Sequence, residues 1–266
     1  MTSPFLKWAG GKRWLASSSL LPIPDQFERY IEPFIGGGAV FFRLSPDQSI
    51  LSDINPELIN LYRVIRDAPE ALETLLAEHH AKHSPDHYYQ VRADVPSDTI
   101  AQAARTLYLN RTCWNGLYRV NLKGEFNVPI GTKTAVIMEG ESFAVLSDAL
   151  QQAEILCQDF EATLGFAQDG DFVFVDPPYT VKHNLNGFLK YNEKIFGWSD
   201  QIRLHDAVVA AANRGASVVI TNADHESVRE LYSDFTYRQL ERTSVLAGDP
   251  GRRGKTSEAM FLANLD

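Results

Sequence analysis

Four consecutive residues in the second half of the chain, Asp176-Pro177-Pro178-Tyr179, combine groups that can hold a planar amine. The Asp176 carboxylate and the proline carbonyls accept hydrogen bonds, and neither proline has a backbone N–H to donate. Tyr179 adds an aromatic face on which a flat ring can stack. The four residues therefore suit a planar substrate that carries an NH2 group. A strand that ends in a tight proline turn would use the same residues without any chemistry.

A predicted strand positions these four residues. Phe172 to Val175 is a short, unbroken run of apolar β-formers, which is typical of a strand buried on both faces. Pro177 pushes Asp176 toward an extended conformation, and prolines are tolerated at the end of a central strand but not within it. We therefore expect the acid and the ring at the edge of a sheet.

A glycine-rich loop earlier in the chain forms part of another strand–turn–helix unit. Three glycines, Gly36 to Gly38, separate a strand end at Tyr30-Ile31 from an apolar helix over 39–44. Such loops let the backbone approach a nucleotide closely, although the G-x-G-x-x-G spacing is absent here. The loop fits either a nucleotide site or an ordinary turn.

Asp53 ends the next predicted strand, which begins at Ile50. It lies 17 residues after Gly36, close to the roughly 20 residues expected of an acid that binds a ribose diol. Asn55 and Pro56 then predict the start of a helix, with Asn55 as its N-cap. Asp53 could instead be a second capping acid for that helix.

Two further glycines, Gly10-Gly11, lie between Trp8 and Lys12 near the start of the sequence. They permit a tight turn and a close approach of the backbone to a ligand. Lys12 could then meet a carboxylate or a phosphate. A surface turn before a first helix over 13–20 explains the glycines equally well.

Residues 57–144 follow a different pattern, which is mainly helical until a hairpin signal appears. Apolar residues alternate on two arms, 117–122 and 125–129, and Lys123-Gly124 occupies the turn. The polar face carries Arg119, Asn121, Lys123 and Asn127. A two-stranded ribbon can enter the DNA major groove, where Arg and Asn read guanine and adenine edges. An exposed hairpin without a partner would look similar.

The alternation of strands and helices returns after residue 144. Strands are predicted at 154–158, 217–221 and 259–263, and a helix over 198–214 is predicted to be capped by Ser199. We therefore expect an α/β fold in which residues 1–56 and 145–266 form one domain and residues 57–144 form a mainly helical insert that carries a β-hairpin.

The composition sets limits on the class of protein. The chain has 266 residues and is 44% hydrophobic, which is enough for a large α/β core. It contains no run of 18 apolar residues and no apolar signal-peptide core, so we expect no membrane partner. Its two cysteines, Cys113 and Cys157, have no metal-ligand spacing. These features predict a cytoplasmic protein.

The charge distribution is uneven. The formal net charge of −9 argues against indiscriminate binding of nucleic acid by the whole surface. Three stretches, 1–14, 102–133 and 249–256, nevertheless carry an excess of Lys and Arg. They could form one electropositive cleft on an acidic body, or they could be scattered solvated charges.

The order of these motifs resembles that of the Dam-type DNA adenine-N6 methyltransferases (D12 class, alpha group). The resemblance runs from Phe5 to about Leu262 and includes Lys-Trp-Ala-Gly-Gly-Lys, Glu-Pro-Phe-Ile-Gly-Gly-Gly, Ser-Asp-Ile-Asn, the segment 110–129 and Asp-Pro-Pro-Tyr. It implies a Rossmann-like catalytic domain that binds S-adenosyl-L-methionine (AdoMet) without a metal, and a target-recognition domain at 57–144. By position, the implied cofactor-binding residues are Trp8, Lys12, Glu32, Phe34, Gly36, Gly38, Asp53 and Asp176.

The resemblance also implies that an adenine is flipped out of double-stranded DNA and methylated at N6, with Asp176, Pro177 and Tyr179 as catalytic residues. The best-known members read GATC, which is the predicted target here. Trp114 stands where the family often has a tyrosine, so this position departs from the pattern. The implied DNA-binding residues are Lys7, Trp114, Asn115, Arg119, Asn121, Lys123, Asn127, Arg252 and Lys255.

Double-stranded DNA is the implied partner, and a cognate restriction endonuclease is a candidate second one. The free protein is expected to be a nucleoid-associated monomer. Two alternatives stay open at this point: an amino-methyltransferase that acts on cytosine N4 or a protein amide, and a non-catalytic DNA-binding regulator.

Overall fold

The computed structural model of the protein describes residues 4–121, 123–182, 196–243 and 255–265. Its strands are β1 (Tyr30–Glu32), β2 (Ser49–Asp53), β3 (Ala153–Cys157), β4 (Phe172–Val175), β5 (Ser217–Ala223), β6 (Thr236–Thr243) and β7 (Lys255–Ala263). Its helices are α1 (Arg13–Ala16), α2 (Ala39–Leu44), α3 (Pro56–Asp67), α4 (Pro69–Lys82), α5 (Pro85–Ala93), α6 (Thr99–Thr112), α7 (Phe143–Leu150), α8 (Phe160–Leu164), α9 (Trp198–Asn213) and α10 (Glu226–Leu231), with a 3-10 turn at Trp114–Gly116. Within these ranges, no helix is long and apolar enough to span a membrane.

The sheet has the strand order β3-β2-β1-β4-β5-β7-β6. Parallel pairs join β2 to β3, β1 to β4 and β4 to β5, whereas β7 runs antiparallel between β5 and β6. This order is that of a doubly wound, Rossmann-like sheet, so the predicted fold class is confirmed. In such sheets a ligand binds outside the carboxyl ends of the strands, where the strand order reverses; here the reversal falls between β1 and β4.

The chain forms two compact units. The first contains residues 1–18 and 35–157, and the second contains residues 19–34 and 158–266. In the first unit α3 packs against α6, and the sheet pair is β2 with β3. In the second unit β4 is completely buried between its neighbours. The predicted functional division at residues 57 and 144 stays a prediction.

Short polar side chains set several helix starts. Asn55 accepts hydrogen bonds from two backbone N–H groups in the first turn of α3, so it caps that helix as predicted. Helix α9 begins after Gly197 and is not capped by Ser199. The Asp200 carboxylate accepts a hydrogen bond from the Gly197 N–H at 2.8 Å, which fixes the entry to the helix two residues before the predicted cap.

Helix α1 ends at Ala16, well before the predicted end at residue 20. The Ser17 hydroxyl donates to the Arg13 carbonyl at 2.8 Å, and the Ser18 hydroxyl donates to the Leu15 carbonyl at 2.8 Å. Serine hydroxyls that bond to nearby carbonyls offer the backbone an alternative to further helical turns.

The predicted hairpin is present as a short antiparallel pair. Val120 bridges Phe126, and the Asn127 N–H donates to the Arg119 carbonyl at 3.1 Å. Gly124 in the turn has φ of +80°, a conformation that favours glycine. The hairpin is therefore closed by a few backbone bonds and a glycine turn.

Two arginines of the basic stretch 102–133 lie inside the protein. Arg105 is 4% exposed and lies 3.6 Å from a Glu57 carboxylate oxygen. Arg111 is 1% exposed and forms a bidentate ion pair with Glu141. Neither arginine can contribute to an exposed basic cleft, so that expectation is wrong for this part of the stretch.

Candidate active site

The glycine loop of the first unit is packed tightly against Trp8. Gly36 has φ of +44°, and a Cβ added there would lie 2.8 Å from Cδ1 of the Trp8 indole. Gly38 has φ of +63°, and its added Cβ would lie 2.7 Å from the Tyr62 hydroxyl. Both positions require glycine, for backbone conformation and for space. The Tyr62 hydroxyl also donates to the Gly36 carbonyl at 3.0 Å, so the loop is held in one shape.

Asp53 at the end of β2 is bonded to the same loop. Its carboxylate accepts hydrogen bonds from the N–H groups of Gly36 (3.3 Å) and Asn55 (3.0 Å). Because Asn55 caps α3, that helix does not depend on Asp53 for its cap. Burial raises the pKa of Asp53 to about 6, although backbone N–H groups, including those of Asn55 and Gly36, act to lower it. The result is an oriented carboxylate beside a backbone loop.

Lys12 is only 3% exposed despite its charge. The turn through Gly10, where φ is +78°, brings the Lys12 ammonium within 2.8 Å of the Gly10 carbonyl, to which it donates. A buried ammonium group is costly unless anionic or polar groups surround it. Its positive charge beside the glycine turn has the right sign to pair with the anionic end of a ligand.

A cavity of about 240 Å³ opens beside these residues in the first unit. Its lining includes Lys7, Trp8, Arg13 and Asn115. Trp8 also stacks on Tyr118 at the base of the hairpin, with ring centroids 5.5 Å apart. Residues predicted to bind the cofactor and residues predicted to bind DNA therefore lie together in this part of the chain.

The Asp-Pro-Pro-Tyr segment lies at the carboxyl end of β4 in the second unit. The Thr221 hydroxyl donates to Oδ1 of Asp176 at 2.7 Å, and the Tyr179 hydroxyl donates to Oε2 of Glu258 at 2.8 Å. Thr221 and Glu258 are both buried. Burial first, and then the charges of Asp176 and Glu258, hold the pKa of Tyr179 well above its usual value. The phenol therefore stays protonated and can donate.

The end of β1 lies next to the end of β4, because the two strands are parallel neighbours. Glu32 closes β1, is 3% exposed and accepts a hydrogen bond from the Tyr30 hydroxyl at 2.8 Å. Phe34, two residues further on, stacks on Phe160 with centroids 5.4 Å apart. Glu32 and Asp176 thus stand at adjacent strand ends, where the strand order reverses and ligands bind in this class of fold.

Comparison with known proteins identifies the family of this chain. The family model of D12 class N6 adenine-specific DNA methyltransferases matches residues 8–246. The chain belongs to this family. The methyltransferase is 38% identical over 265 residues to the type II methyltransferase M1.LlaDCHI of Lactococcus lactis subsp. cremoris, covering 96% of this chain and 93% of that protein. It is 33% identical to the DNA adenine methylase of Haemophilus influenzae (97% and 93% covered) and 32% identical to that of Escherichia coli (97% and 94%).

Family membership confirms the predicted enzyme class, a site-specific DNA methyltransferase that acts on adenine. It argues against the two alternatives, since the family is defined by transfer to adenine N6.

The base of the hairpin in the methyltransferase presents Trp114 to solvent, with 52% of the residue exposed. Asn115, next to it, adopts a left-handed conformation with φ of +56°. Further along, the Nε–H of Arg119 donates to Oδ1 of Asn127 at 2.8 Å, so these two side chains face each other across the hairpin. The amide oxygen of Asn121 instead accepts from backbone N–H groups of the turn, which holds the turn closed.

Two predicted DNA contacts of the methyltransferase cannot be placed with the others. Arg252 lies outside the described residues, and Lys255 begins β7, where only its backbone is described. Across the described ranges, no group of three or more histidine, cysteine or acidic side chains is arranged to hold a metal ion.

Three side chains that support the predicted residues were not expected from the sequence. Tyr118 stacks on Trp8 and donates to a Glu57 carboxylate oxygen at 2.9 Å. Thr221 and Glu258 contact the Asp-Pro-Pro-Tyr segment from two other strands. For Thr221 and Glu258 the available signal was a polar residue within or beside an apolar run of a strand, because such a residue demands a buried hydrogen-bond partner.

Proposed function

We propose that the methyltransferase uses AdoMet to methylate N6 of an adenine that has been flipped out of duplex DNA, within the sequence GATC. Family membership already shows that the enzyme methylates N6 of adenine in DNA. The cofactor, the flipped base, the target sequence and the role of each residue are the proposal. Its strongest support is the Asp176 carboxylate, which follows β4 at the ligand-binding edge and receives the Thr221 hydroxyl at 2.7 Å.

The residues of the proposed cofactor site fit the chemical groups of AdoMet. Asp53 accepts hydrogen bonds from the ribose hydroxyls, and Lys12 neutralises the methionine carboxylate. Trp8 offers an apolar surface beside the glycine loop that packs against it. AdoMet, when bound, supplies an electrophilic methyl group on a positively charged sulfur. The rest of the proposed set is Glu32, Phe34, Gly36, Gly38 and Asp176.

The catalytic residues act on the amine of the target base. The N6 nitrogen is a weak nucleophile because its lone pair is delocalised into the purine ring. Asp176 and the Pro177 carbonyl accept the two N6 hydrogens, which favours a tetrahedral nitrogen, and the Asp176 carboxylate stabilises the positive charge that develops there. Tyr179 stacks on the purine and restricts its orientation, so that the amine is held in a reactive position.

The hairpin and the N-terminal segment supply the proposed DNA contacts. Extruding a base costs a few kcal/mol, and the exposed indole of Trp114 is available to fill the gap that it leaves. Arg119, oriented by Asn127, reads a guanine edge. The other proposed contacts are Lys7, Asn115, Asn121, Lys123, Arg252 and Lys255. GATC follows from the similarity of segment 110–129 to the family's hairpin.

The proposed setting of the reaction follows from its substrate. Double-stranded DNA is the partner, and the free enzyme is a monomer in the cytoplasm, associated with the nucleoid. The Lactococcus lactis relative is named a type II methyltransferase, which supports a cognate restriction endonuclease as a candidate second partner.

Replacement of the catalytic carboxylate tests this function. Asp176→Ala is expected to abolish methyl transfer in a single-turnover assay with radiolabelled AdoMet, while fluorescence anisotropy shows duplex binding within about twofold of the wild type. Asp206→Ala, at a carboxylate whose side chain is 73% exposed on α9, is the matched control and keeps full activity. Undiminished transfer by Asp176→Ala would contradict the mechanism.

The target is tested by sequencing modified bases in DNA from cells that express the chain. N6-methyladenine confined to GATC is the expected result. Methylation in another sequence context would overturn the proposed target while leaving the mechanism intact.

A further inference from the structure

Two buried polar side chains lie behind the Asp-Pro-Pro-Tyr segment in the second unit. Thr221 on β5 is 0% exposed, and Glu258 on β7 is 3% exposed. These strands are antiparallel neighbours, with Thr221 opposite Met260 and Ala223 opposite Glu258. Directly opposed residues point to the same face of a sheet, as do residues two apart, so Thr221 and Glu258 share one face.

The strand register brings Thr221 to Asp176. β4 and β5 are parallel, and their last paired residues are Val175 and Ile220. The next residue on each strand is therefore Asp176 and Thr221, and the Thr221 hydroxyl donates to Oδ1 of Asp176 at 2.7 Å. A neutral hydroxyl fixes the rotation of a carboxylate without cancelling its charge, unlike an arginine or a lysine.

Glu258 holds the other end of the segment. Its Oε2 accepts the Tyr179 hydroxyl at 2.8 Å, 79 residues away in the sequence. The three residues that follow it, Ala259, Met260 and Phe261, are all fully buried. Burying a carboxylate beside them has a desolvation cost that packing does not offset. A carboxylate at this position therefore has a purpose other than filling the core.

We propose that Thr221 and Glu258 are positioning residues for methyl transfer: Thr221 sets the rotation of the Asp176 carboxylate, and Glu258 sets the plane of the Tyr179 ring. The inference rests on the proposed function of Asp176 and Tyr179. Neither positioning residue touches the reacting atoms. Hydrogen bonds to an amine are directional, so a carboxylate that rotates freely spends part of its time in unreactive orientations.

Thr221 is tested with an isosteric variant. Thr221→Val removes the hydroxyl and keeps the shape, so the single-turnover rate is expected to fall about tenfold or more, while the Kd values for AdoMet and DNA stay within about twofold. Thr221→Ser, which restores the donor, is expected to recover the rate to within about threefold of the wild type. If Thr221→Val does not fold, Thr221→Ala takes its place in the comparison.

Thr112→Val is the matched control. The Thr112 hydroxyl is also fully buried, but it donates to the backbone carbonyl of Tyr108 at 2.7 Å in α6. The same atoms are removed, so a loss of rate through reduced stability alone would appear in both variants. We expect the loss only at Thr221.

Glu258 is tested through the ring that it holds. Glu258→Leu is expected to slow transfer about tenfold and to change the fluorescence of a 2-aminopurine placed at the target position, because stacking quenches this base. Glu258→Gln keeps an acceptor oxygen and should retain both properties. Tyr179→Phe removes the same hydrogen bond, so adding it to Glu258→Leu should produce no further loss.

These experiments distinguish a failure of the positioning roles from a failure of the proposed function. If Asp176→Ala is inactive but Thr221→Val and Glu258→Leu transfer at the wild-type rate, the positioning roles are wrong and the proposed function stands. If Asp176→Ala is fully active, the proposed function and the positioning roles are both wrong. Equal losses in Thr221→Val and Thr112→Val, or no rescue by serine, would also refute the positioning role of Thr221.

Discussion

Asp53 combines partial burial with several backbone hydrogen bonds, and the balance between them determines its charge. Burial disfavours the carboxylate and raises its pKa to about 6, against the opposing effect of nearby N–H groups such as that of Gly36. The folded-state pKa lies above the ordinary value of an aspartate, so ionisation of this group costs stability as the pH rises from about 4 to about 6. Above about pH 6 this loss of folding stability no longer changes with pH.

The same ionisation is expected to control cofactor binding. The carboxylate form of Asp53 accepts ribose hydroxyls better than the acid form, so AdoMet affinity should be full above pH 7 and should fall below pH 6, approaching tenfold per unit. Calorimetric titration of AdoMet between pH 5 and 8 measures this. Asp53→Asn should bind more weakly and lose this pH dependence.

An unchanged pH dependence in Asp53→Asn would assign the titration to another group. Glu32→Gln is a suitable second variant, because Glu32 is another carboxylate of the proposed cofactor set and is only 3% exposed.

At the scale of elements, the proposed roles of the hairpin residues are of two kinds, reading base edges and contacting phosphates. Arg119 and Asn127 are joined across the ribbon by a 2.8 Å hydrogen bond, which pre-orients the guanidinium. Lys123 lies in the exposed turn, and Asn121 holds that turn with its amide oxygen. A rigid turn with an oriented arginine loses little entropy when it enters a groove.

Arg119→Ala is therefore expected to weaken binding to a GATC duplex by about 1–3 kcal/mol and to reduce discrimination against duplexes with the guanine replaced. Lys123→Ala should weaken all duplexes alike and lower the slope of log K against log salt by about one. Both are measured by anisotropy over a salt series. The assignment fails if Arg119→Ala retains its discrimination, or if the two variants behave alike.

Much of the fold could be predicted from sequence because its signals are local. The ends of β2 and β4 are marked by an acid after an apolar run, and α3 is marked by Asn55 and Pro56. Strand β6 gave no such signal. In its first six residues only Leu240 is buried, so its position depends on pairing with β7 rather than on an apolar pattern.

The candidate site was predicted only in part for a similar reason. The residues of Asp-Pro-Pro-Tyr are neighbours in sequence, but Thr221 lies 45 residues after Asp176, and Glu258 lies 79 after Tyr179. Only the strand register brings them together. A polar residue in a buried strand signals that it needs a partner, but the sequence does not identify which one.

At the scale of the whole molecule, the basic residues serve two different ends. The chain has a net charge of −9, and a count of cations along the sequence treats Arg105 and Arg111 as surface charges. Both are buried, whereas Arg119, Lys123 and Lys133 of the same stretch are exposed. The surface available to phosphates is therefore narrower than the composition suggests, and the buried arginines act in folding.

Arg111 joins three distant parts of the first unit. It forms the ion pair with Glu141, donates to the carbonyl of Val136 at 2.6 Å and donates to that of Phe5 at 3.1 Å. Removing one partner of a buried pair leaves the other charge unpaired, which costs more than the pair itself contributes.

Arg111→Ala is therefore expected to lower the free energy of unfolding by about 3–5 kcal/mol, as measured by urea denaturation followed by circular dichroism. Asp67→Asn is the control: it removes an exposed ion pair with Arg66 and should change stability by less than about 1 kcal/mol. Because Arg111 holds the segment that leads to Lys7 and Trp8, we also expect Arg111→Ala to weaken AdoMet and DNA binding together. A variant with unchanged stability and binding would show that packing around Phe5 holds this segment without the arginine.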